Sequence, residues 1–150
     1  PLASLKYSRD HVFGKVRTVI KIGEKEYMPQ TLNASDLFKA FEGECCYITD
    51  GPALWWERAT ASDGRKIIDF HARNTPDFGG AFRHVRIFGR RRLPNGSFAK
   101  QEEICIESVI ASRASTDITV NVDNYAYLRA ECLTADDHFA MTSAARIDPE

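Results

Sequence analysis

The sequence predicts an α+β fold in which an N-terminal hairpin and an antiparallel β-sheet are followed by two C-terminal α-helices. Three observations lead to this prediction. Successive stretches between Arg65 and Ser112 alternate apolar and polar residues, as strands with two different faces do. The pairs Asp63-Gly64 and Asn95-Gly96 are typical of the tight turns that join such strands. Beyond Ser112, apolar residues return at helical spacing instead.

Composition and charge limit the function classes. A chain of 150 residues with 43% hydrophobic and 27% charged residues predicts one globular domain over residues 1–150. The net charge of −1 gives no overall attraction to nucleic acid or to a membrane surface. The sequence has no apolar run long enough to span a membrane, so we expect no membrane partner. The four cysteines lack metal-ligand spacing, so no metal site is predicted, and no cofactor is expected either. We expect free thiols, with disulfides from Cys45 and Cys46 to a second subunit as the alternative.

The N-terminal third predicts a hairpin and several short elements. Val12–Ile22 alternates, and the turn after it leads to a short strand at Glu26–Met28. Leu32–Phe41 is ambiguous, and Ser35 is a candidate N-cap for a short helix there. Two further strands are predicted at Glu44–Thr49 and Leu54–Ala61.

The central sheet is predicted to consist of three consecutive strands, Arg65–Arg73, Phe82–Arg92 and Glu102–Ala111. The turn Asn74–Gly80 and the loop Leu93–Gln101 join them. Because side chains alternate along a strand, one face of this sheet is apolar and the other is polar. The apolar face would carry Ile68, Phe70, Ala72, Val85, Ile87, Ile104, Ile106 and Ile110.

The C-terminal part is predicted to be helical. Ser115–Asn121 resembles a polar connector, and Asp123 is a plausible N-cap for a helix over Asn124–Leu133. Thr134-x-x-Asp137 weakly matches a capping box, which predicts a second short helix that ends near Arg146. The apolar stripe of these helices would cover the sheet.

Basic residues dominate the polar face of the predicted sheet, and no acidic residue occurs between Asp77 and Glu102. Arginine binds phosphate through two parallel hydrogen bonds, so this face is a candidate surface for single-stranded or hairpin RNA. The alternative is an ordinary solvated sheet face. The candidate RNA-binding residues are His71, Arg73, His84, Arg86, Arg90 and Arg92, with Lys15, Arg17 and Lys21 added if the first strand joins the same sheet.

A second hypothesis assigns chemistry to His71 and Asp69, which share the polar face and could act as a general acid–base pair. This hypothesis describes a small-molecule-binding or catalytic domain with a cone-like fold, similar to nuclear transport factor 2. The sequence has no Gly-rich phosphate loop, no Gly-x-Ser-x-Gly and no His-Glu-x-x-His. We therefore expect the protein not to be an enzyme.

Residues 51–112, followed by the stretch YAYLRAECLTADDHFAM, resemble the coat protein of single-stranded RNA bacteriophages, the leviviruses. The resemblance lies in the order of the elements. It implies a structural capsid protein whose intertwined homodimers build an icosahedral shell in the bacterial host cytoplasm and remain in the virion. The inner sheet face would bind and package the RNA genome, and would repress translation through an RNA hairpin. The RNA contacts implied by position are Asp69, His71, Arg73, His84, Arg86 and Glu107.

Overall fold

The computed structural model describes residues 16–20, 34–43, 46–74, 80–93, 97, 102–104 and 113–147. These residues form ten strands and one helix, α1 (Ala34–Gly43). The strands are β1 (Arg17–Ile20), β2 (Cys46–Thr49), β3 (Ala53–Thr60), β4 (Lys66–Arg73), β5 (Phe82–Arg91), β6 (Glu102–Ile104), β7 (Ser115–Asn121), β8 (Tyr125–Thr134), β9 (Phe139–Thr142) and β10 (Ala145–Arg146).

The strands form two antiparallel sheets that enclose one core. The larger sheet has the order β1-β2-β9-β8-β5-β6, and β10 pairs with β8 beside β9. The smaller sheet has the order β3-β4-β7. Buried residues of both sheets belong to one hydrophobic cluster, so the described part of the chain is a β-sandwich.

The core follows the two-residue period of the strands. In β4, Ile68, Phe70 and Ala72 are at most 1% exposed, and the residues between them are only half-buried. In β5, Val85 and Ile87 point into the same core. Full burial of side chains of this size stabilises the fold by about 1.5–3 kcal/mol each. The other inward-facing residues include Leu54, Trp56, Ile118, Val120, Leu128, Ala130, Cys132 and Ala140.

The predicted C-terminal helices are wrong. Asn124–Leu133 is almost wholly the strand β8, and the segment from Thr134 to Arg146 contains β9 and β10. The apolar spacing that suggested a helix coincides with a stronger alternation, because Leu128, Ala130 and Cys132 are buried while the residues between them face outward. β8 pairs with β5 in the larger sheet, and the burial of its side chains therefore follows the two-residue period of a strand.

The predicted helix caps belong to two hairpin turns. Asn124 has a φ of 70°, and the amide of Tyr125 donates to the Val122 carbonyl over 3.0 Å, which closes the turn between β7 and β8. Across the next turn, the Thr134 amide donates to the His138 carbonyl over 2.8 Å. The side chain of Thr134 accepts a second bond from the His138 amide at 3.0 Å. Short polar side chains stabilise turns as well as helix starts, which explains the error.

The predicted central sheet of three consecutive strands is also wrong. β4 belongs to the smaller sheet, whereas β5 and β6 belong to the larger sheet. The neighbour of β4 is instead β7, which occupies the predicted polar connector Ser115–Asn121. Ile118 and Val120 of β7 are buried, and the polar residues Asp117, Thr119 and Asn121 alternate with them. β-Branched residues in alternation favour a strand, and the polar composition of this segment hid that pattern.

Several predicted elements are confirmed. Asp63-Gly64 forms the hairpin between β3 and β4, with Gly64 at a φ of 86°, and the Ala61 amide donates to the Arg65 carbonyl over 2.9 Å. The ambiguous segment Leu32–Phe41 contains the start of α1. β1, β2 and β3 lie within or next to the predicted strands. The strand Glu26–Met28, the tip of Leu93–Gln101 and most of Glu102–Ala111 lie outside the described residues.

The predicted mode of dimerisation depended on the two C-terminal helices. Since β8, β9 and β10 replace them inside the larger sheet, the levivirus coat architecture with interlocked helices is wrong for this chain. In the described part of the chain, no helix has the length and apolar character needed to cross a membrane.

Candidate functional site

The outer face of the larger sheet brings arginine and aromatic side chains together. Its centre lies on β5 and β8, where Val85, Ile87 and Gly89 point into the core and the intervening residues point outward. The register pairs Arg86 with Glu131, Phe88 with Arg129, and Arg90 with Tyr127. We call Arg86, Phe88, Arg90, Tyr127 and Arg129 the basic–aromatic face.

Arg129 and Phe88 form the central contact of this face. The guanidinium carbon of Arg129 lies 4.3 Å from the centroid of the Phe88 ring, well within the range of a cation–π interaction. The Arg129 side chain is only 24% exposed, and its Nη1 atom lies 3.7 Å from Oε2 of Glu131. The ring and the carboxylate therefore hold the guanidinium in one orientation against the sheet.

The electrostatic character of the basic–aromatic face is positive. Its three arginines are opposed on β5 and β8 by the single carboxylate of Glu131. A second aromatic–cation contact lies at the end of the same strand pair, where the Arg91 guanidinium is 6.0 Å from the Tyr125 ring. At the other edge of β5, the backbone of β6 pairs with that of β5, with Glu103 in register with Phe88.

The rest of this outer face is largely apolar. Across β9 and β2, the register continues from Glu131 to Met141 and then to Ile48, which is 39% exposed. Leu133 lies beside Phe139 in the next row. The larger sheet therefore combines a basic, aromatic half with an apolar half on one continuous surface.

The outer face of the smaller sheet carries a compact polar cluster. Trp55, His71 and Asp117 are neighbours in one row across β3, β4 and β7. The rings of Trp55 and His71 are stacked with centroids 5.0 Å apart, and the Arg73 guanidinium lies 5.7 Å from the Trp55 ring. Oδ1 of Asp117 lies 2.7 Å from Nδ1 of His71 and accepts a 2.6 Å hydrogen bond from Arg73.

This second outer face is acidic. Its strands carry three carboxylates, those of Glu57, Asp69 and Asp117, and one guanidinium, that of Arg73. Burial acts to raise the pKa of Asp117, but the hydrogen bonds from His71 and Arg73 outweigh it and hold that pKa below its usual value. We call Trp55, Glu57, Asp69, His71, Arg73 and Asp117 the acidic face.

The structure divides the predicted RNA-binding residues between opposite faces. His84, Arg86 and Arg90 lie on the outer face of the larger sheet, whereas His71 and Arg73 lie on the acidic face. They do not form one continuous patch. Arg17 is exposed and pairs in register with Thr49, whose side chain points inward, so Arg17 is on the other side of the larger sheet from Arg86. Arg92 donates to the Ile147 carbonyl, and Lys15, Lys21 and Glu107 lie outside the described residues.

The His71–Asp69 pairing is not the one that the structure shows. His71 contacts Asp117 across β7, and Asp69 accepts a 2.5 Å hydrogen bond from the Thr119 hydroxyl. Both residues stand on the outer surface of the smaller sheet.

Phe88, Tyr127 and Arg129 are the residues that the sequence interpretation missed. Phe88 lies in the predicted strand Phe82–Arg92, at a position that alternation assigns to the polar face. Tyr127 and Arg129 were placed on a helix that does not exist. An alternating reading of Tyr127–Leu133 would have placed both on the face that also carries Glu131.

Metal chemistry has no candidate site in the described ranges, where no cluster of three or more His, Cys, Asp or Glu side chains could hold a metal ion. Among the described residues, neither Cys46 nor Cys132 is in a disulfide. Burial raises the pKa of Cys132 to about 12, so this thiol stays protonated at neutral pH. No protein-family model, curated protein or solved structure matches this chain.

Proposed function

We propose that the protein binds single-stranded RNA on the basic–aromatic face. The observation that supports this proposal is the Arg129 guanidinium seated on the Phe88 ring, with Arg86, Arg90 and Tyr127 beside it on the same two strands. Arginines supply phosphate contacts, and rings and guanidinium planes supply surfaces on which unstacked bases stack.

The shape of the surface favours a single strand. An open sheet face cannot enter the deep and narrow major groove of an RNA duplex, whereas it can support splayed bases along its strands. Glu131 lies at one end of the face, in register with Arg86, and can accept a hydrogen bond from a ribose 2′-hydroxyl. That contact favours RNA over single-stranded DNA.

The charge distribution determines which side of the protein RNA binds. The net charge of the chain is only −1, so attraction to a polyanion must come from a local surface. The basic–aromatic face supplies it, and the acidic face on the opposite side of the sandwich repels phosphate. RNA should therefore bind to one side of the molecule only.

The direct test measures binding of a fluorescein-labelled oligouridine by fluorescence anisotropy over a series of NaCl concentrations. We expect the affinity to fall steeply with salt, and the triple variant Arg86→Gln, Arg90→Gln, Arg129→Gln to reduce the slope of log K against log salt by about 2. The matched control is Arg73→Gln, which removes a guanidinium from the acidic face. An equal loss in the control, or no loss in the triple variant, would contradict the proposal.

The coat-protein role is a narrower form of this proposal, in which the RNA that binds is a packaged genome. Its interlocked-helix dimer does not apply to a sandwich, so any shell would be built from other contacts. Negative-stain electron microscopy of the protein expressed alone tests it, together with ultraviolet absorbance for RNA in the same fraction. Uniform particles that contain RNA would support the coat-protein role, and RNA binding without particles would limit the function to RNA binding.

A further inference from the structure

We infer that copies of this chain associate with one another, with the acidic face of one copy on the basic–aromatic face of the next. The two faces lie on different sheets and on opposite sides of the sandwich. Their described residues carry charges of opposite sign. A second copy of the chain therefore has, for each face, a surface of complementary charge.

The negative charge of the acidic face is concentrated on β3 and β4. Glu57 and Asp69 stand directly opposite each other in the register of these strands. Like charges in that arrangement destabilise a strand pair, so the stability of the sheet does not account for their position. The third carboxylate, that of Asp117, is 57% exposed and is paired with Arg73. A cationic surface placed over this face would relieve the repulsion between Glu57 and Asp69.

Positive charge is clustered in a similar way on the larger sheet. The register places Tyr127 between Arg90 of β5 and Arg146 of β10. Arg146 is exposed, whereas Ala145 before it is buried in the core, so Arg146 extends the basic–aromatic face. The strands β5, β8 and β10 thus place four guanidiniums on this side of the sheet, and Glu131 is the one carboxylate in these three strands.

The signs of the charges select one arrangement of the two copies. Contact between two acidic faces would oppose carboxylates, and contact between two basic–aromatic faces would oppose guanidiniums, so each is disfavoured. The favoured contact joins two different surfaces. A pair of copies then still presents one face of each kind, and further copies can add at either end. The inference does not depend on RNA binding, although RNA would compete for the same basic–aromatic face.

The size of the acidic face limits the strength of this contact. The face is three strands wide, and the strands are seven or eight residues long. With strands about 4.8 Å apart and a rise of about 3.3 Å per residue, its footprint is roughly 15 by 25 Å. Stable complexes bury about 800 Å² on each partner, which is more than this footprint provides. We therefore expect weak and reversible association.

The test is sedimentation velocity of the full chain in the absence of RNA, over a series of protein concentrations at low and at high NaCl concentration. At low salt, the mean sedimentation coefficient should rise with protein concentration. At high salt it should return to the value of a single chain, because exposed charges are screened. Contact through the apolar half of the larger sheet would instead persist at high salt. That result, or a single chain under all conditions, would overturn the inference.

Two variants each neutralise one face. Glu57→Gln with Asp69→Asn removes the excess negative charge of the acidic face. The other variant removes positive charge from the larger sheet and combines Arg86→Gln, Arg90→Gln and Arg146→Gln. Each variant should weaken association at low salt about tenfold, since several exposed ion pairs between copies are lost. Thermal unfolding of each variant shows whether the fold is retained.

The matched control for the acidic-face variant is Asp123→Asn with Asp136→Asn. Both aspartates are exposed and lie in the turns before and after β8, so the control changes the net charge equally and leaves both faces intact. We expect it to associate like the wild-type protein. An equal loss of association in the control and in the acidic-face variant would contradict a contact between specific faces.

An equimolar mixture of the two face variants tests the arrangement itself. Each variant keeps one charged face, and these two remaining faces are complementary. The mixture should therefore form a complex of one chain of each variant that does not grow as the protein concentration rises. Sedimentation equilibrium gives the mass of this complex. If the wild-type protein associates and the mixture contains no such complex, the pairing of unlike faces is wrong.

Discussion

The guanidinium of Arg129 lies 4.3 Å from the centroid of the Phe88 ring, on the neighbouring strand of the larger sheet. This contact lies at the centre of the basic–aromatic face, where the Arg129 side chain is 24% exposed. If bases stack there, the shape of the group matters as well as its charge.

Arg129→Lys is therefore expected to weaken oligouridine binding while leaving its salt dependence unchanged, because the charge stays and the planar group is lost. Phe88→Ala should weaken binding by about 1–3 kcal/mol, the usual effect of removing an aromatic stacking partner. Anisotropy titrations at several salt concentrations measure both quantities. If Arg129→Lys binds like the wild-type protein, the contact acts through charge alone.

Ala130→Glu tests whether residues 125–134 form a strand. Ala130 is fully buried between the sheets, so an uncompensated carboxylate there should lower the free energy of unfolding by about 3–5 kcal/mol. On a helix, Ala130 would lie nearly opposite Leu128 and face solvent. Urea denaturation followed by circular dichroism measures the effect.

The matched control for this experiment is Ala59→Glu. It introduces the same side chain on β3, at a half-buried position on the outer face of the smaller sheet. We expect Ala59→Glu to lower the free energy of unfolding by well under half as much as Ala130→Glu does. Similar costs for the two variants would argue against the placement of β8 in the core.

Asp117→Asn tests the ion pairs of the acidic face through their pH dependence. Because His71 and Arg73 lower the pKa of Asp117 in the folded state, its carboxylate stabilises the protein above its usual pKa. That stabilisation is lost as the pH falls through the lowered folded-state value. Since Asp117 is 57% exposed, the expected gain is small, about 0.2–1 kcal/mol at neutral pH.

The measurement is the difference in unfolding free energy between the wild-type protein and Asp117→Asn, from neutral pH down to below pH 3.8, the usual pKa of aspartate. The difference should shrink toward zero at the acid end. Asp136→Asn, at an exposed turn position, serves as the control for general charge effects. A difference that does not change with pH would show that the ionised carboxylate contributes nothing.

The turn at Asn124 gives a prediction about backbone conformation. Its φ of 70° lies in the left-handed region, which glycine and asparagine tolerate and β-branched residues do not. Asn124→Val should lower the free energy of unfolding by about 1–2 kcal/mol, whereas Asn124→Gly should change it little. Thermal denaturation of the pair checks this, and equal melting temperatures for the two variants would be evidence against a left-handed residue at this turn.

Local signals in the sequence predicted the first hairpin and several strands correctly. The hairpin at Asp63-Gly64 needs only a short turn with a positive φ, and these two residues favour such a turn by themselves. The pairing of β4 with β7 is different, because about forty residues separate the two strands and no local pattern selects a distant partner. That pairing decides which sheet each strand joins. The sheet topology therefore could not be predicted from the positions of the strands along the sequence.

The candidate site shows the same limit. Arg86 and Arg90 were recognised because they alternate within one strand, and the structure keeps them on one face. His71 and Arg73 alternate equally well, yet they lie on the other sheet. Alternation assigns a residue to one face of its own strand. Only the pairing of strands decides which of these faces lie on the same side of the same sheet.

Within the described part of the chain, the opposite charges of the two outer faces also produce an electric dipole that points from one sheet of the sandwich to the other. With a net charge near zero, orientation and not overall charge should govern its first encounter with any charged surface. The protein should be retained by anion and cation exchangers alike, in opposite orientations. A negatively charged support would then leave the acidic face turned toward the solution.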